Sequence, residues 1–103
     1  MRDPVLKSEE ITQAINQLQG TGWAHQDDQL KRTTKCQGFP GALAYVNAVG
    51  ALAEAADHHP DIDIRWNTVT LALTTHDSGG ITRRDVELAT QIADLRDGLS
   101  ADG

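Results

Sequence analysis

Three of the four histidines in the chain lie in one short stretch. His58 and His59 are adjacent, and His76 follows after two runs of alternating apolar and polar residues. Histidine titrates near neutral pH, with an ordinary pKa of about 6.5. A cluster can therefore hold one neutral ring as a base and one charged ring as an acid. A dehydration needs this pair, because one group protonates the departing hydroxyl while another removes a proton elsewhere. The stretch from Glu54 to Asp85 is predicted to build one acid–base catalytic site.

Carboxylates near the cluster can fix the tautomer and orientation of a histidine ring. The candidates are Glu54, Asp57, Asp77 and Asp85. Two of them have a second interpretation, because Asp85 is also placed to cap the last helix and Asp57 to end the helix before it. These alternatives stay open at the level of sequence.

Other chemistry-bearing residues have plainer interpretations. Three histidines could hold zinc with one open position, but no HxH or HxxxH pair is present, and adjacent side chains in an extended chain point apart. Metal binding therefore ranks below acid–base chemistry. The isolated His25 is interpreted as a structural or surface residue, and Cys36 as a buried or inert thiol. Trp66 suits the core and a stacking surface for a flat ligand equally well.

A predicted hairpin brings the histidines together. Ile62, Ile64 and Trp66 alternate with polar residues, and a second alternating run begins at Val69 and continues to about Thr75, with a turn at 67–68. The start of one hairpin strand lies beside the end of the next. Residues 58–59 and 76 are therefore predicted to be neighbours.

The remaining elements complete an α+β domain spanning residues 1–103. Ser8 is a predicted N-cap for a first helix, and residues 23–35 suggest two short strands around a turn at 26–28. A second helix runs from Pro40 to about Ala56, with an apolar, Ala-rich face that predicts close packing. Thr82 and Asp85 resemble a capping box for a last helix, whose apolar face extends to about Leu99 before a frayed tail. We expect a four-stranded antiparallel sheet with helices on one face, in the order α-β-β-α-β-β-α.

Composition excludes several classes of function. The chain has 103 residues and a net charge of −6, so the basic face of a nucleic-acid binder is not expected. A single cysteine cannot form an intramolecular disulfide. No apolar run approaches the roughly 20 residues that span a bilayer, and no apolar signal segment is evident at the start. These features predict a cytoplasmic protein with no membrane or nucleic-acid partner.

The site residues resemble the signature of the pterin-4a-carbinolamine dehydratases in order and spacing. The matching positions are Glu54, His58-His59-Pro60, Trp66, Thr75-His76 and Asp85, with the loop 79–82 also similar. The resemblance implies dehydration of 4a-hydroxytetrahydrobiopterin to quinonoid dihydrobiopterin, which recycles the pterin of aromatic amino acid hydroxylases. It implies no metal or bound cofactor, since the pterin is the substrate.

Carried over by position, the resemblance makes His58, His59 and His76 the catalytic residues. We expect His59 and His76 to handle protons, His58 to position the substrate, and Asp85 to support His76 or the bound pterin. The other residues expected to support the site or bind substrate are Glu54, Asp57, Pro60, Trp66 and Thr75.

The resemblance also implies partners and alternatives. Family members form homodimers or homotetramers, which would suit a small core and a closely packed second helix. Some relatives act as a dimerisation cofactor of a transcription factor, and some as an assembly factor for ribulose bisphosphate carboxylase. A pure scaffold could lose its histidines at little cost, so their retention favours the enzyme. A metal-dependent hydrolase ranks last.

Overall fold

The computed structural model describes residues 3–95, which contain three helices and four strands. In chain order they are α1 (Ser8–Gln17), β1 (Ala24–Gln26), β2 (Gln29–Lys35), α2 (Gly38–Ala56), β3 (Asp61–Arg65), β4 (Thr68–Leu73) and α3 (Arg83–Ala93). The strands form one antiparallel sheet in the order β1-β2-β4-β3. The predicted order α-β-β-α-β-β-α is confirmed. Within residues 3–95, no helix is both long enough and apolar enough to cross a membrane.

The core lies between one face of the sheet and the helices. Along β4, alternate residues point to this face, and Val69, Leu71 and Leu73 are fully buried. Leu30 of β2 pairs with Leu73 and is equally buried. The helices α2 and α3 bury apolar side chains against this cluster, among them Tyr45, Val49, Leu88 and Ile92. The central strands β2 and β4 thus form a rigid platform beside the histidine-bearing segments.

Several local boundaries differ from the sequence-based expectation. The N-cap of α1 is Lys7 rather than Ser8, because the extended backbone of Lys7 lets its N–H donate to Glu10 Oε1 at 2.7 Å. The turn between β3 and β4 is residues 66–67 rather than 67–68, because Arg65 pairs with Thr68. Leu99 and the tail lie outside the described residues.

The close packing expected for the second helix is only partly present within the chain. The side of α2 that faces the core carries Ala42, Tyr45, Val49 and Ala53. Leu43, which the predicted apolar face included, is 42% exposed. At Gly50, apart from its chain neighbours and the backbone of its own helix turns, no described atom lies within 4 Å of the position a Cβ would occupy. Within residues 3–95 this side of the helix is left uncovered, and close packing against it stays a prediction.

Strand β3 lies at one edge of the sheet and is exposed along its whole length. Its apolar side chains, Ile62 and Ile64, pair with the buried Leu71 and Val69 of β4. They nevertheless remain 39% and 36% exposed. The alternating pattern in β3 therefore marks an uncovered apolar strip rather than a buried strand.

Candidate active site

The turn after α2 directs the two adjacent histidines into different environments. Asp57 adopts the left-handed conformation (φ 51°, ψ 44°) that usually favours glycine or asparagine at a helix C-terminus. The N–H of His58 then donates to Ala53 O at 3.1 Å, which closes the last turn of the helix. Beyond this reversal His58 is buried, at 8% exposure, whereas His59 remains on the surface.

His58 is held by a buried carboxylate from the last helix. Its Nε2 lies 2.5 Å from Oδ1 of Asp85, which is fully buried. The other oxygen of Asp85 accepts from Thr75 Oγ1 and from the N–H of Thr82, both at 2.8 Å. With Nε2–H donating to the carboxylate, Nδ1 is the free nitrogen of the His58 ring. A buried network with this many satisfied partners fixes the position of the ring.

Asp85 therefore has both of the roles that the sequence left open. It forms the capping box of α3 with Thr82, and it binds a histidine. The histidine is His58, however, and not His76. The expectation that Asp85 supports His76 was wrong, because the capping geometry directs the carboxylate inward, towards the turn after α2. Support of the bound pterin by Asp85 stays a prediction.

His59 contacts a carboxylate at the surface. Its Nε2 lies 2.7 Å from Oε1 of Glu54, and the side chains are 58% and 81% exposed. Such an exposed pair stabilises the fold little. It does orient the ring and leaves Nδ1 as the free nitrogen.

His76 lies in a tight loop directly after the hairpin. Thr75 forms an isolated bridge with Gly80, and its carbonyl accepts from the N–H groups of Ser78 and Gly79 at 3.0 and 2.9 Å. The His76 side chain is exposed, and among residues 3–95 its ring has no hydrogen-bonding partner. The loop thus holds the backbone of His76 while its ring remains available.

The three histidines line one open pocket of about 250 Å³. The hairpin therefore brings residues 58–59 and 76 together, as its pairing predicts, while their catalytic roles stay a prediction. The other lining residues are Asp57, Thr74, Thr75, Asp77 and Arg84. Within the described part of the chain, no group of three or more His, Cys, Asp or Glu side chains could hold a metal ion.

Four of the expected site residues do not line this pocket. Asp85 and Glu54 reach it only through the rings of His58 and His59 that they bind, and the other two are Pro60 and Trp66. Pro60 is half-buried and lies between His59 and the first residue of β3. Trp66 occupies the turn at the opposite end of β3, roughly 17 Å away if five strand residues rise about 3.3 Å each. It is 69% exposed, so in one chain it belongs neither to the core nor to the pocket. The alternating pattern placed Trp66 within the first strand of the hairpin, whereas in the structure Trp66 lies in the turn that follows this strand, with a positive φ of 55°.

Arg84 is a pocket residue that the sequence did not reveal, as is Thr74. Its Nη2 donates to the carbonyl of Asp57 at 2.5 Å and to that of Ala56 at 3.4 Å. These partners lie 27 and 28 residues earlier in the chain. The only local signal was that Arg84 directly precedes Asp85.

Comparison with known proteins agrees with this geometry. The sequence profile described as Pterin 4 alpha carbinolamine dehydratase matches residues 4–95. A protein of Roseiflexus sp. (strain RS-1) named "Putative pterin-4-alpha-carbinolamine dehydratase" is 51% identical over 90 residues, which cover 87% of this chain and 95% of the relative. A protein of Nocardia farcinica with the same name is 46% identical over 95 residues, covering 92% and 98%.

Solved structures show the same fold. A transcriptional coactivator/pterin dehydratase from Brucella melitensis superimposes with a TM-score of 0.79 at 29% identity, covering 85% of this chain and 94% of that one. A pterin dehydratase-like protein described as a RuBisCO assembly factor in the alpha-carboxysome superimposes with a TM-score of 0.53 at 20% identity, covering 63% and 75%, and shows likeness of fold alone. The profile match and the two bacterial relatives span nearly all of the described residues, and on that basis the chain belongs to the pterin 4 alpha carbinolamine dehydratase family.

Proposed function

We propose that this protein is a 4a-hydroxytetrahydrobiopterin dehydratase, a carbon–oxygen lyase that forms quinonoid dihydrobiopterin by histidine acid–base catalysis. The observation that carries the proposal is the pocket in which His58, His59 and His76 meet from two separate segments. Carboxylates fix the orientation of two of these rings, and the ring of His76 has no hydrogen-bonding partner among residues 3–95. Membership of the family supports a pterin substrate.

The reaction needs two proton transfers and no redox step. The C4a–O bond breaks and N5 gives up its proton. The electron pair of the former N5–H bond then forms the C4a=N5 double bond. The hydroxyl leaves as water once it gains a proton. An acid at the hydroxyl and a base at N5 both lower the activation barrier. Each typically raises the rate by about 10²–10⁴-fold.

The different environments of the histidines suggest their roles. In His59, the contact of Nε2 with Glu54 leaves Nδ1 to accept the proton from N5. His76 has no partner among the described residues, so in its charged form it can protonate the hydroxyl. His58 is buried and held by Asp85, which suits a ring that positions the pterin. Because His59 and His76 are both exposed, solvent can restore their protonation states after each cycle.

The direct test is the loss of 4a-hydroxypterin absorbance with purified protein, without added metal and with a chelator present. We expect catalysis under both conditions. His59→Ala and His76→Ala should each lower kcat by about 10²–10⁴-fold. His25→Ala is the matched control, since His25 is exposed in β1 and lies outside the pocket. A folded His59→Ala or His76→Ala protein with full rate would exclude the proposed roles, and sensitivity to the chelator would favour a metal mechanism.

We place this reaction in tetrahydrobiopterin recycling in the cytoplasm, beside an aromatic amino acid hydroxylase. Such a hydroxylase releases the 4a-hydroxypterin that the dehydratase consumes. Adding the protein to a hydroxylase assay with limiting pterin and a pterin reductase should sustain turnover. No increase in turnover, with the dehydratase active by itself, would argue for another source of substrate.

A binding or assembly role is the second candidate function. The Brucella structure bears a name with both roles, and α2 presents Phe39 and Leu43, 46% and 42% exposed, one helical turn apart. In cells lacking their own copy, His76→Ala should restore a phenotype that depends on binding but not one that depends on dehydration. If His76→Ala restores the phenotype of such cells in full, the binding or assembly role would be favoured over the dehydratase.

We further propose that the protein is a homodimer in which β3 pairs with its symmetry mate. An exposed edge strand with apolar side chains invites pairing, and native proteins usually cover such an edge. Antiparallel pairing centred on Ile64 would place Asp63 opposite the partner's Arg65, and Ile64 opposite the partner's Ile64. Opposite charges and apolar pairs across strands each contribute roughly 0.2–1 kcal/mol.

Sedimentation or light scattering tests the dimer. The unaltered protein should have twice the mass of one chain, and Ile64→Lys should reduce it to a monomer. Gln26→Lys is the control, because it places the same charge on β1, the other edge strand. A dimer that survives Ile64→Lys would assign the interface elsewhere, with the exposed side of α2 as the next surface to test.

A further inference from the structure

Arg84 joins the two segments that carry the histidines. Towards one segment, Nη2 donates to the carbonyls of Ala56 and Asp57, directly before His58. Towards the other, Nε lies 3.7 Å from Oδ2 of Asp3, whose carbonyl accepts from Ser78 Oγ at 2.6 Å in the His76 loop. The guanidinium therefore lies between the turn of His58 and the loop of His76.

The carbonyls that Arg84 binds belong to the C-terminus of α2, which carries partial negative charge. The last turn of α2 contains no basic side chain of its own. Asp57, which follows it, has a positive φ of 51°, a conformation that costs energy for any residue other than glycine. The positive charge of Arg84, from α3, offsets the partial negative charge of these carbonyls and stabilises the strained turn.

The next residue along α3, Asp85, holds the side chain of His58. Successive residues of α3 therefore hold the backbone and the ring of the same turn. Arg83, one position earlier, is exposed and does not line the pocket. The contacts of Arg84 are therefore specific to that residue and are not shared by the neighbouring basic residue at the start of α3.

We propose that Arg84 is a positioning residue of the dehydration reaction, which holds the turn of His58 and His59 at its working distance from His76. The inference rests on the proposed function. Arg84 acts through backbone carbonyls and the carboxylate of Asp3 and not by proton transfer. Arginine suits this task because its planar fork presents several N–H groups at once, whereas lysine supplies a point charge.

The test compares Arg84→Gln, Arg84→Lys and Arg84→Ala with Arg83→Gln in the 4a-hydroxypterin assay. Misplacement of catalytic groups by about 1 Å can cost ~10²-fold in rate, so Arg84→Gln should lose roughly 10- to 100-fold in kcat with a smaller change in KM. Arg84→Lys should retain part of the rate, and Arg83→Gln should stay within about twofold of the unaltered protein. All assays are run well below the Tm of each variant.

Chemical rescue separates positioning from loss of folding. Methylguanidinium, at concentrations that do not unfold the protein, should restore part of the rate of Arg84→Ala and none of that of His76→Ala. Unaltered protein that fails to dehydrate the pterin would overturn the proposed function. If the unaltered protein is active, two results would each overturn the role of Arg84 alone. One is full kcat in Arg84→Gln, and the other is failure of methylguanidinium to rescue Arg84→Ala.

Discussion

His58 and His59 are adjacent in the chain, yet His58 belongs to the buried part of the site, called here its inner end, and His59 to the exposed part, its outer end. The inner end contains His58, Asp85, Thr75 and Thr82, all buried and joined by hydrogen bonds of 2.5–2.8 Å. At the outer end the side chains are exposed: His59 contacts the carboxylate of Glu54, and the ring of His76 has no partner in the described part of the chain. Burial makes polar interactions strong and their loss costly, whereas exposure keeps them weak and lets protons exchange with solvent. Under the proposed mechanism, the same residue type positions the substrate at one end and transfers protons at the other.

The largest expected effect comes from removing the centre of the inner end. Asp85→Ala deletes the acceptor of His58, Thr75 and the Thr82 N–H. Each buried donor left unsatisfied costs about 1–3 kcal/mol, so we expect a loss of roughly 3–5 kcal/mol in the free energy of unfolding. Urea unfolding measures it.

Two further variants interpret that result. Asp85→Asn keeps the shape of the side chain and should recover part of the stability while activity remains low. Glu87→Ala removes an exposed carboxylate from the same helix and is expected to change the free energy of unfolding by less than about 0.5 kcal/mol. Equal stabilities for Asp85→Ala and Glu87→Ala would remove the distinction between the two ends of the pocket.

A smaller effect is expected at the outer end. Glu54→Ala removes the contact that orients His59. Because both side chains are largely exposed, the free energy of unfolding should change by no more than about 1 kcal/mol. The rate should fall by roughly tenfold, consistent with ~1.4 kcal/mol of lost transition-state stabilisation. Kinetics and urea unfolding on the same sample check this, and a large loss of stability with unchanged kcat would reverse the comparison.

The smallest expected effect is on the pH dependence of stability, through Cys36, which is buried directly after β2. Burial raises the pKa of the Cys36 thiol, although the positive charge of Arg32 lowers it in part. Because the folded protein holds the proton more tightly than the unfolded chain, stability should decline slightly as the pH rises from the ordinary thiol pKa to the raised pKa of the folded protein. Alkylation by iodoacetamide at pH 8 should be slow in the folded protein and fast in urea. Equally fast alkylation in both states would show that the interior is open.

Local patterns predicted much of the fold because they depend on neighbours in sequence. The capping box of Thr82 and Asp85 and the alternation in β4 are set by short-range geometry, and the structure confirms both. The one-residue error in the hairpin turn shows the limit, since the register depends on which residues of two strands pair. That register also determines that Trp66 lies at the far end of β3 from the histidines.

The sequence by itself determined which residues could do chemistry and that the hairpin would bring His58, His59 and His76 together. It also determined the order of helices and strands, because periodicity and capping act over a few residues. Only the tertiary structure decided that Asp85 holds His58 rather than His76, that Arg84 binds the end of α2, and that β3 remains uncovered. These contacts join residues far apart in the chain, and their geometry follows from how α3 packs beside the turn after α2, which no local pattern encodes.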